Sequence, residues 1–295
     1  MSLRAIVRRL GGDLYDGGRR ANIPAPGHSR RDRSVSLLER DGRVLVHTFG
    51  DSDWRAVRDH LRALGLLGSS GGAARSAPVT GAEAAPDRGR AARRETAQRI
   101  WGQGRAIVGT LSERHCRGRG VVGELPGPQA LRHHPAAPLS VYRPTKATRP
   151  ALMAGVVDAD GMLTAVEVTY LNPGGRAAFD LALPRKTVGL IPAGSAVRLD
   201  RAGPQLLVAE GVFTTLAARR RFALPAWALL STSNLRRWRP PPGVGFVLIA
   251  ADRGPDGEAS ARHLAQELSR GGTRSEIALP PPAFGDWDEA ADSGN

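Results

Sequence analysis

The chain has 295 residues, 41% of them hydrophobic, one cysteine (Cys116) and a formal net charge of +14. That length suits two or three small domains with cores of their own. A lone cysteine excludes an intramolecular disulfide and a Cys-rich zinc site, and no run approaches the roughly 18 apolar residues a membrane span needs. The basic N-terminus, MSLRAIVRRL, lacks a long apolar stretch and a cleavage site, so no signal peptide or membrane partner is expected and the expected location is cytoplasmic. Residues 1–150 hold 27 Lys and Arg against 13 Asp and Glu, whereas residues 151–295 hold 15 of each. A field placed this way suits a phosphate backbone. The alternative is compositional drift, since nearly every basic residue is Arg.

In chain order, residues 1–67 read as a small α+β domain. A short helix from Leu3 to Leu10 stops at Gly11-Gly12. Two strand-like runs, Ser34–Glu39 and Arg43–Thr48, flank the hairpin signal Asp41-Gly42. From Trp54 to Leu67 the apolar residues Val57, Leu61 and Leu64 fall at helical spacing, with Asp51 or Asp53 as the cap. Residues 68–92, rich in Gly, Ala, Ser and Pro, read as a flexible linker. Residues 93–204 form the next region. A helix is expected from about Arg93 to Thr110 and a second over Leu111–Arg117. Pro126 to Pro150, with six prolines, reads as loop. Met153–Asp158 and Leu163–Tyr170 alternate around Asp160-Gly161 as a hairpin, and Val188–Ile191 and Ala196–Leu199 are further strand candidates.

Residues 205–295 change character. The apolar runs Leu206–Ala209, Ala226–Leu230, Phe246–Ala251 and Glu276–Leu279 alternate with helical patterns over Val212–Arg221 and Glu258–Arg270. Buried strands alternating with helices predict an α/β unit, a small parallel sheet flanked by helices. Acids follow three of these strands: Glu210; Asp252, with Asp256 four residues on; and Asp286 with Asp288. Ligands of open α/β sheets bind beyond the carboxyl ends of the strands, so these groups would converge on one edge. Like charges gathered there repel unless a cation binds. Oxygen ligands without Cys or His suit Mg²⁺ or Mn²⁺, ions that serve phosphoryl transfer. Asp256 is equally readable as a helix cap, and Asp286 and Asp288 as a solvated tail.

The stretches LLVAEGVFTTLAA, VLIAADRGPDGEASARHLAQEL and FGDWDEA resemble the Toprim domain of primase-like proteins from phages, plasmids and integrated elements. The stretch RPALMAGVVDADGMLTAVEVTYLNPGG is similar to the subdomain that precedes Toprim in those proteins, and PAPGHSRRDRSVSLLERDGRVLVHTFGD to their zinc-ribbon domain. The resemblance implies Glu210 as general acid/base or metal ligand, and Asp252 with the other aspartates as holders of Mg²⁺. It implies single-stranded DNA and nucleotides as partners. Nothing in the chain resembles a helicase module, so a separate helicase is expected to unwind the template.

Two departures stand out. The family's Asp-x-Asp is here Asp252-Arg253-Gly254, with Asp256 or Glu258 as substitutes for the missing carboxylate. The ribbon's cysteine positions hold Ala25, Thr48 and Asp51, and His28 alone cannot bind zinc, so no zinc is expected. Arg176, Arg185 and Lys186, just ahead of the α/β unit, are candidates for contacting template or nucleotide phosphates, a solvated face being the alternative. Arg219–Arg221 and Arg236, Arg237 and Arg239 suit helix ends. His133-His134 and His115-Cys116 lack metal-ligand spacing, and Trp54, Trp227 and Trp238 read as packing residues rather than base-stacking platforms. The leading expectation is a primase-type nucleotidyltransferase. A non-catalytic DNA-binding accessory and a Toprim nuclease are the alternatives.

Overall fold

A computed structural model describes residues 3–26, 35–40, 43–48, 54–67, 85–142, 145–181 and 183–292, in two units, residues 1–84 and 85–295. The first holds α1 (Leu3–Leu10), β1 (Asp13–Tyr15), β2 (Arg20–Ile23), β3 (Val35–Arg40), β4 (Arg43–Thr48) and α2 (Trp54–Ala63). Its strands form one antiparallel sheet in the order β1-β2-β3-β4. The expected β3–β4 hairpin pairs Arg40 with Arg43; Asp41-Gly42, His28, Asp51 and Asp53 lie outside the described residues. The strands β1 and β2 are additions to the sequence reading, too short and too polar to stand out by alternation. They are made possible by Gly12, whose φ of +122 places its backbone where a Cβ would meet the Asn22 carbonyl at 2.2 Å. Leu3, Ile6, Ala21, Ile23, Val35, Leu37, Val57 and Leu61 make the core, and Ala25 is buried within it. A small apolar residue thus packs where the resemblance implies a zinc ligand.

The second unit begins with α3 (Ala85–Gly102) and α4 (Leu111–Gly118). Residues 85–92, expected as linker, are helical, and the helix ends eight residues before Thr110. Ala and Arg are strong helix formers, but residues 90–95 are exposed and the described side chains that reach the core, Ala97, Ile100 and Trp101, come late in the helix. Next come β5 (Leu131–Pro138), β6 (Thr148–Val157), β7 (Leu163–Tyr170) and β8 (Arg185–Gly189), an antiparallel sheet in that order. The expected loop over 126–150 is therefore wrong across β5 and the start of β6. The strand β5 is an edge, and its register shifts between His134 and Ala137, around Pro135. A proline's missing N–H is tolerated at an edge or a bulge. Gly161, at φ +82, turns β6 into β7 as expected.

The remaining elements are β9 (Val197–Arg198), β10 (Gln205–Ala209), α5 (Val212–Phe222), β11 (Ala226–Ala228), α6 (Thr232–Arg237), β12 (Phe246–Ala250), α7 (Pro255–Arg270), β13 (Arg274–Ala278) and α8 (Trp287–Asp292). The sheet order is β13-β12-β10-β11-β9, with the first four strands parallel and β9 antiparallel at the edge. This is the predicted α/β unit. Leu206–Ala209 and Val247–Ala251 are buried throughout, which is why they read as continuous apolar runs. Helix α7 starts three residues before its expected first residue, because Pro255 at its first position lacks only an N–H that would have no helical partner. Trp227 and Trp238 are buried edge-to-face neighbours, 6.2 Å between centroids, so both are packing residues. The side chain of Trp54 lies outside the described residues.

The edge of this sheet is tied down by α6, which the sequence reading missed. The buried Asn234 donates to the carbonyls of Ser195 and Leu229, each at 2.7 Å, and accepts from the Gly194 N–H at 2.9 Å. Asn234→Ala strands all three groups and is expected to lower stability by about 2 kcal/mol, measured as a fall in the urea midpoint at unchanged slope. No helix among the described residues is long and apolar enough to cross a membrane.

Candidate active site

Glu210 follows β10, the strand paired on both sides by parallel neighbours. Its carbonyl accepts the Leu230 N–H at 2.7 Å. Asp252 stands two residues beyond β12. Its surroundings are held by the Ala251 N–H on the Ala278 carbonyl, 3.0 Å, and the Arg253 N–H on the Gly285 carbonyl, 2.7 Å. Asp286 follows β13; its Oδ1 accepts the Glu289 N–H at 2.8 Å. Parallel strand ends therefore deliver three acids to the edge at which ligands of such sheets bind.

Together with part of the antiparallel sheet they enclose a cavity of about 590 Å³, within the range of small-ligand sites. Its lining includes Glu210, Asp252 and Asp286, Glu167 and Thr169 of β7, Arg185 of β8, and Arg119, Phe213 and Phe179. The electrostatics reflect crowding of acids. Burial, then Asp256, push the Glu210 carboxyl above the usual range, against a smaller opposing pull from Arg185. Asp252 is pushed up to about 7 by burial, then by Glu210, Asp286 and Glu289, and its buried Oδ1 has no hydrogen-bond partner. Glu167 is likewise raised by burial, with Arg185 pulling the other way. A buried carboxylate oxygen without a partner, ringed by further acids, is a fit for a hard dication. Among the described residues no three acids or imidazoles stand close enough together to hold one ion between them.

The other expected site residues fare differently. Asp256 sits in the first turn of α7 and accepts a 2.6 Å bond from Arg236. It biases Glu210 without lining the cavity. Glu258 accepts from the Gly254 N–H and pairs with Arg262, each at 3.3 Å, which occupies it with the same helix start. Asp288 is buried and paired with Arg119, its Oδ1 without a partner. It is a structural residue behind the cavity wall and not a solvated tail. The missing second aspartate has a backbone explanation. Gly254 holds φ 122 and ψ 163, a region open essentially to glycine alone.

Of the basic candidates, Arg185 is exposed and lines the cavity, whereas Arg176 is exposed outside its lining. Lys186 points to the other face of β8. Its ammonium donates to the Leu139 carbonyl at 2.8 Å and lies 5.0 Å from the Tyr170 ring centre, so it serves the subdomain's own packing. The histidines are packing residues too. Buried His115 donates to the Gly175 carbonyl at 3.0 Å, and His133 shares a 2.8 Å bond with Ser112. Glu167, Glu289 and Arg119 belong to the site or its rim and escaped the sequence reading. Glu167 and Thr169 had a signal: they are the polar positions of the VEVTY alternation, two apart and hence on one face.

Two family models match the chain. Residues 205–295 match the family model for the Toprim domain, and residues 91–199 match that for a domain of unknown function, DUF7146. No curated protein matches the chain. Among solved structures, a DnaG primase catalytic domain bound to ssDNA is similar, with a TM-score of 0.50 and 12% identity, over 71% of this chain and 77% of that one. The Aquifex aeolicus primase, with its zinc-binding and RNA polymerase domains, gives a TM-score of 0.46 and 13% identity, over 100% of this chain and 80% of that one. The primase fragment of the bacteriophage T7 primase-helicase gives 0.40 and 14%, over 62% of this chain and 66% of that one. Residues 205–295 are a Toprim domain, and the unit that ends in them has the fold of a primase catalytic core.

Proposed function

We propose that the protein is a primase-type nucleotidyltransferase that joins nucleotides on single-stranded DNA with Mg²⁺ or Mn²⁺. The observation that carries this reading is the cavity itself. Toprim acids that raise one another's affinity for protons line, together with Arg185, a space of nucleotide size. The likeness in fold to a DnaG catalytic domain solved with ssDNA supports single-stranded DNA as the partner. Mg²⁺ is held in such sites by one or two carboxylates, waters and the substrate's own phosphates, which removes the need for a ready-made cage of three protein ligands. Glu210 and Asp252 are the residues that would hold it, with Asp286 behind them. The ion would neutralise charge on phosphate oxygens during transfer. Arg185 supplies positive charge to bind and orient those phosphates, while Arg119 is paired with Asp288. Residues 1–67 act in this reading as a degenerate zinc-ribbon domain folded on apolar residues, with residues 93–204 as the primase-type subdomain ahead of Toprim.

Primer synthesis on a panel of single-stranded templates tests the proposal. Wild type is expected to give Mg²⁺-dependent product and Glu210→Gln none. Absence of product from wild type, or undiminished product from Glu210→Gln, overturns it. A second reading rests on Gly254: with glycine-only backbone at the family's second aspartate position and Asp256 held by Arg236, the protein would bind DNA as an accessory without turnover. That reading predicts salt-sensitive DNA binding that ignores Mg²⁺ and survives Asp252→Asn. Metal-dependent nicking of plasmid DNA would instead identify a Toprim nuclease.

A further inference from the structure

Trp227 and Trp238 are packing residues buried in the α/β core. The ring that is open is Phe179, in the loop between β7 and β8, 81% exposed at the edge of the acid-lined cavity. Its exposure is set by the backbone and not by fraying. Ala178 beside it is fully buried, and its N–H donates to the Tyr170 carbonyl at 2.8 Å. On the other side, the Leu181 N–H donates to the Ala178 carbonyl at 3.0 Å. With Ala178 pinned inward, the next side chain must point out. Among the described residues no ring or guanidinium lies over Phe179. The other open aromatic, Tyr142, has a structural use, accepting the Gly189 N–H on its hydroxyl at 2.9 Å.

The geometry points to Phe179 as a stacking platform for an unpaired nucleic-acid base. A flat apolar ring held in water beside cationic groups matches the chemistry of a strand, whose phosphates take the charge and whose bases take the ring. Arg185 lines the same cavity as the ring, so a guanidinium shares the cavity with the phosphate of a base on Phe179. Phe179 and Ala177 of this loop line the same cavity as Glu167 and Thr169 of β7. The inference rests on the nucleic-acid reading of the cavity, and it commits to a base as the occupant.

The test uses the full chain and single-stranded deoxyoligonucleotides with 2-aminopurine stepped along them, together with 2-aminopurine ribonucleoside triphosphate. Wild type is expected to quench the fluorescence of one position on binding. Phe179→Ala is expected to abolish that quench and weaken affinity about 5- to 100-fold, and Phe179→Trp to restore both. The side chain is open to solvent, so the fold tolerates either substitution. Loss confined to the oligonucleotide identifies the base as one of the template strand; loss with the free triphosphate identifies the incoming nucleotide. Quenching and affinity unchanged in Phe179→Ala on both probes overturn the platform and leave the reading of the cavity intact. A wild type that binds neither probe overturns both.

Discussion

Arg119→Ala is expected to lower the stability of the 85–295 unit by about 3 kcal/mol. Asp288 is 5% exposed, its Oδ2 paired with Arg119 and its Oδ1 without a partner. Removing the guanidinium leaves a carboxylate with no countercharge in a place water hardly reaches. The low end of the range for broken buried pairs applies, because the arginine side chain is itself 42% exposed. The arginine also covers the Phe213 ring, 4.6 Å from its centre, so some packing is lost with the charge. The pair joins the segment after α4 to α8. Urea denaturation of Arg119→Ala against Arg119→Ala/Asp288→Asn separates the contributions. The double variant should recover more than half of the loss, since a neutral amide costs far less to bury unpaired. Equal losses in the two variants would mean that the ion pair contributes nothing beyond packing.

Asp252→Asn is expected to stabilise the metal-free protein above pH 7. In the folded chain this carboxyl is raised from 3.8 to about 7. Between those values the native state keeps a proton that the unfolded chain has released, so stability falls as pH rises through the window. Above pH 7 the full penalty of the ionised, crowded carboxylate is present, roughly 4 kcal/mol at its upper limit. Asparagine removes that charge and with it the repulsion from Glu210, Asp286 and Glu289. Thermal unfolding from pH 4 to 8 should show wild type losing stability with a steeper slope than Asp252→Asn. Added Mg²⁺ should raise the wild-type midpoint at pH 8 and leave that of the variant where it is. Parallel pH profiles, or the same Mg²⁺ response in both, would refute the account of this carboxylate.

The two proposals for the cavity bear on each other. Phe179, the Toprim acids, Arg185 and Arg119 all line it, so a base on the ring and an ion on the acids would belong to ligands of one cavity. Restoring the second aspartate at position 254 is not a simple repair, because Gly254 at φ 122 would strain any residue with a Cβ. The site therefore works, or fails to work, with Glu210 and Asp252 as its forward carboxylates.

What the sequence determined by itself is the part of the protein that depends on neighbouring residues. An acid directly after a buried parallel strand, as with Glu210 and Asp252, is legible because the apolar run and the sheet edge share one stretch of chain. The hairpin at Asp160-Gly161 is legible because a turn is a local event. The tertiary structure alone decided which of the remaining acids faces the cavity. Asp286 lines it, whereas a distant partner turns the other two, Arg236 for Asp256 and Arg119 for Asp288. It also decided that residues 131–138 are an edge strand despite their prolines, because only the sheet order shows which N–H groups can be spared. The same holds for Lys186 and Phe179. Pattern and charge cannot say that the lysine turns inward onto a carbonyl while the phenylalanine stands in water, because side-chain direction follows from which neighbouring residue the core has claimed.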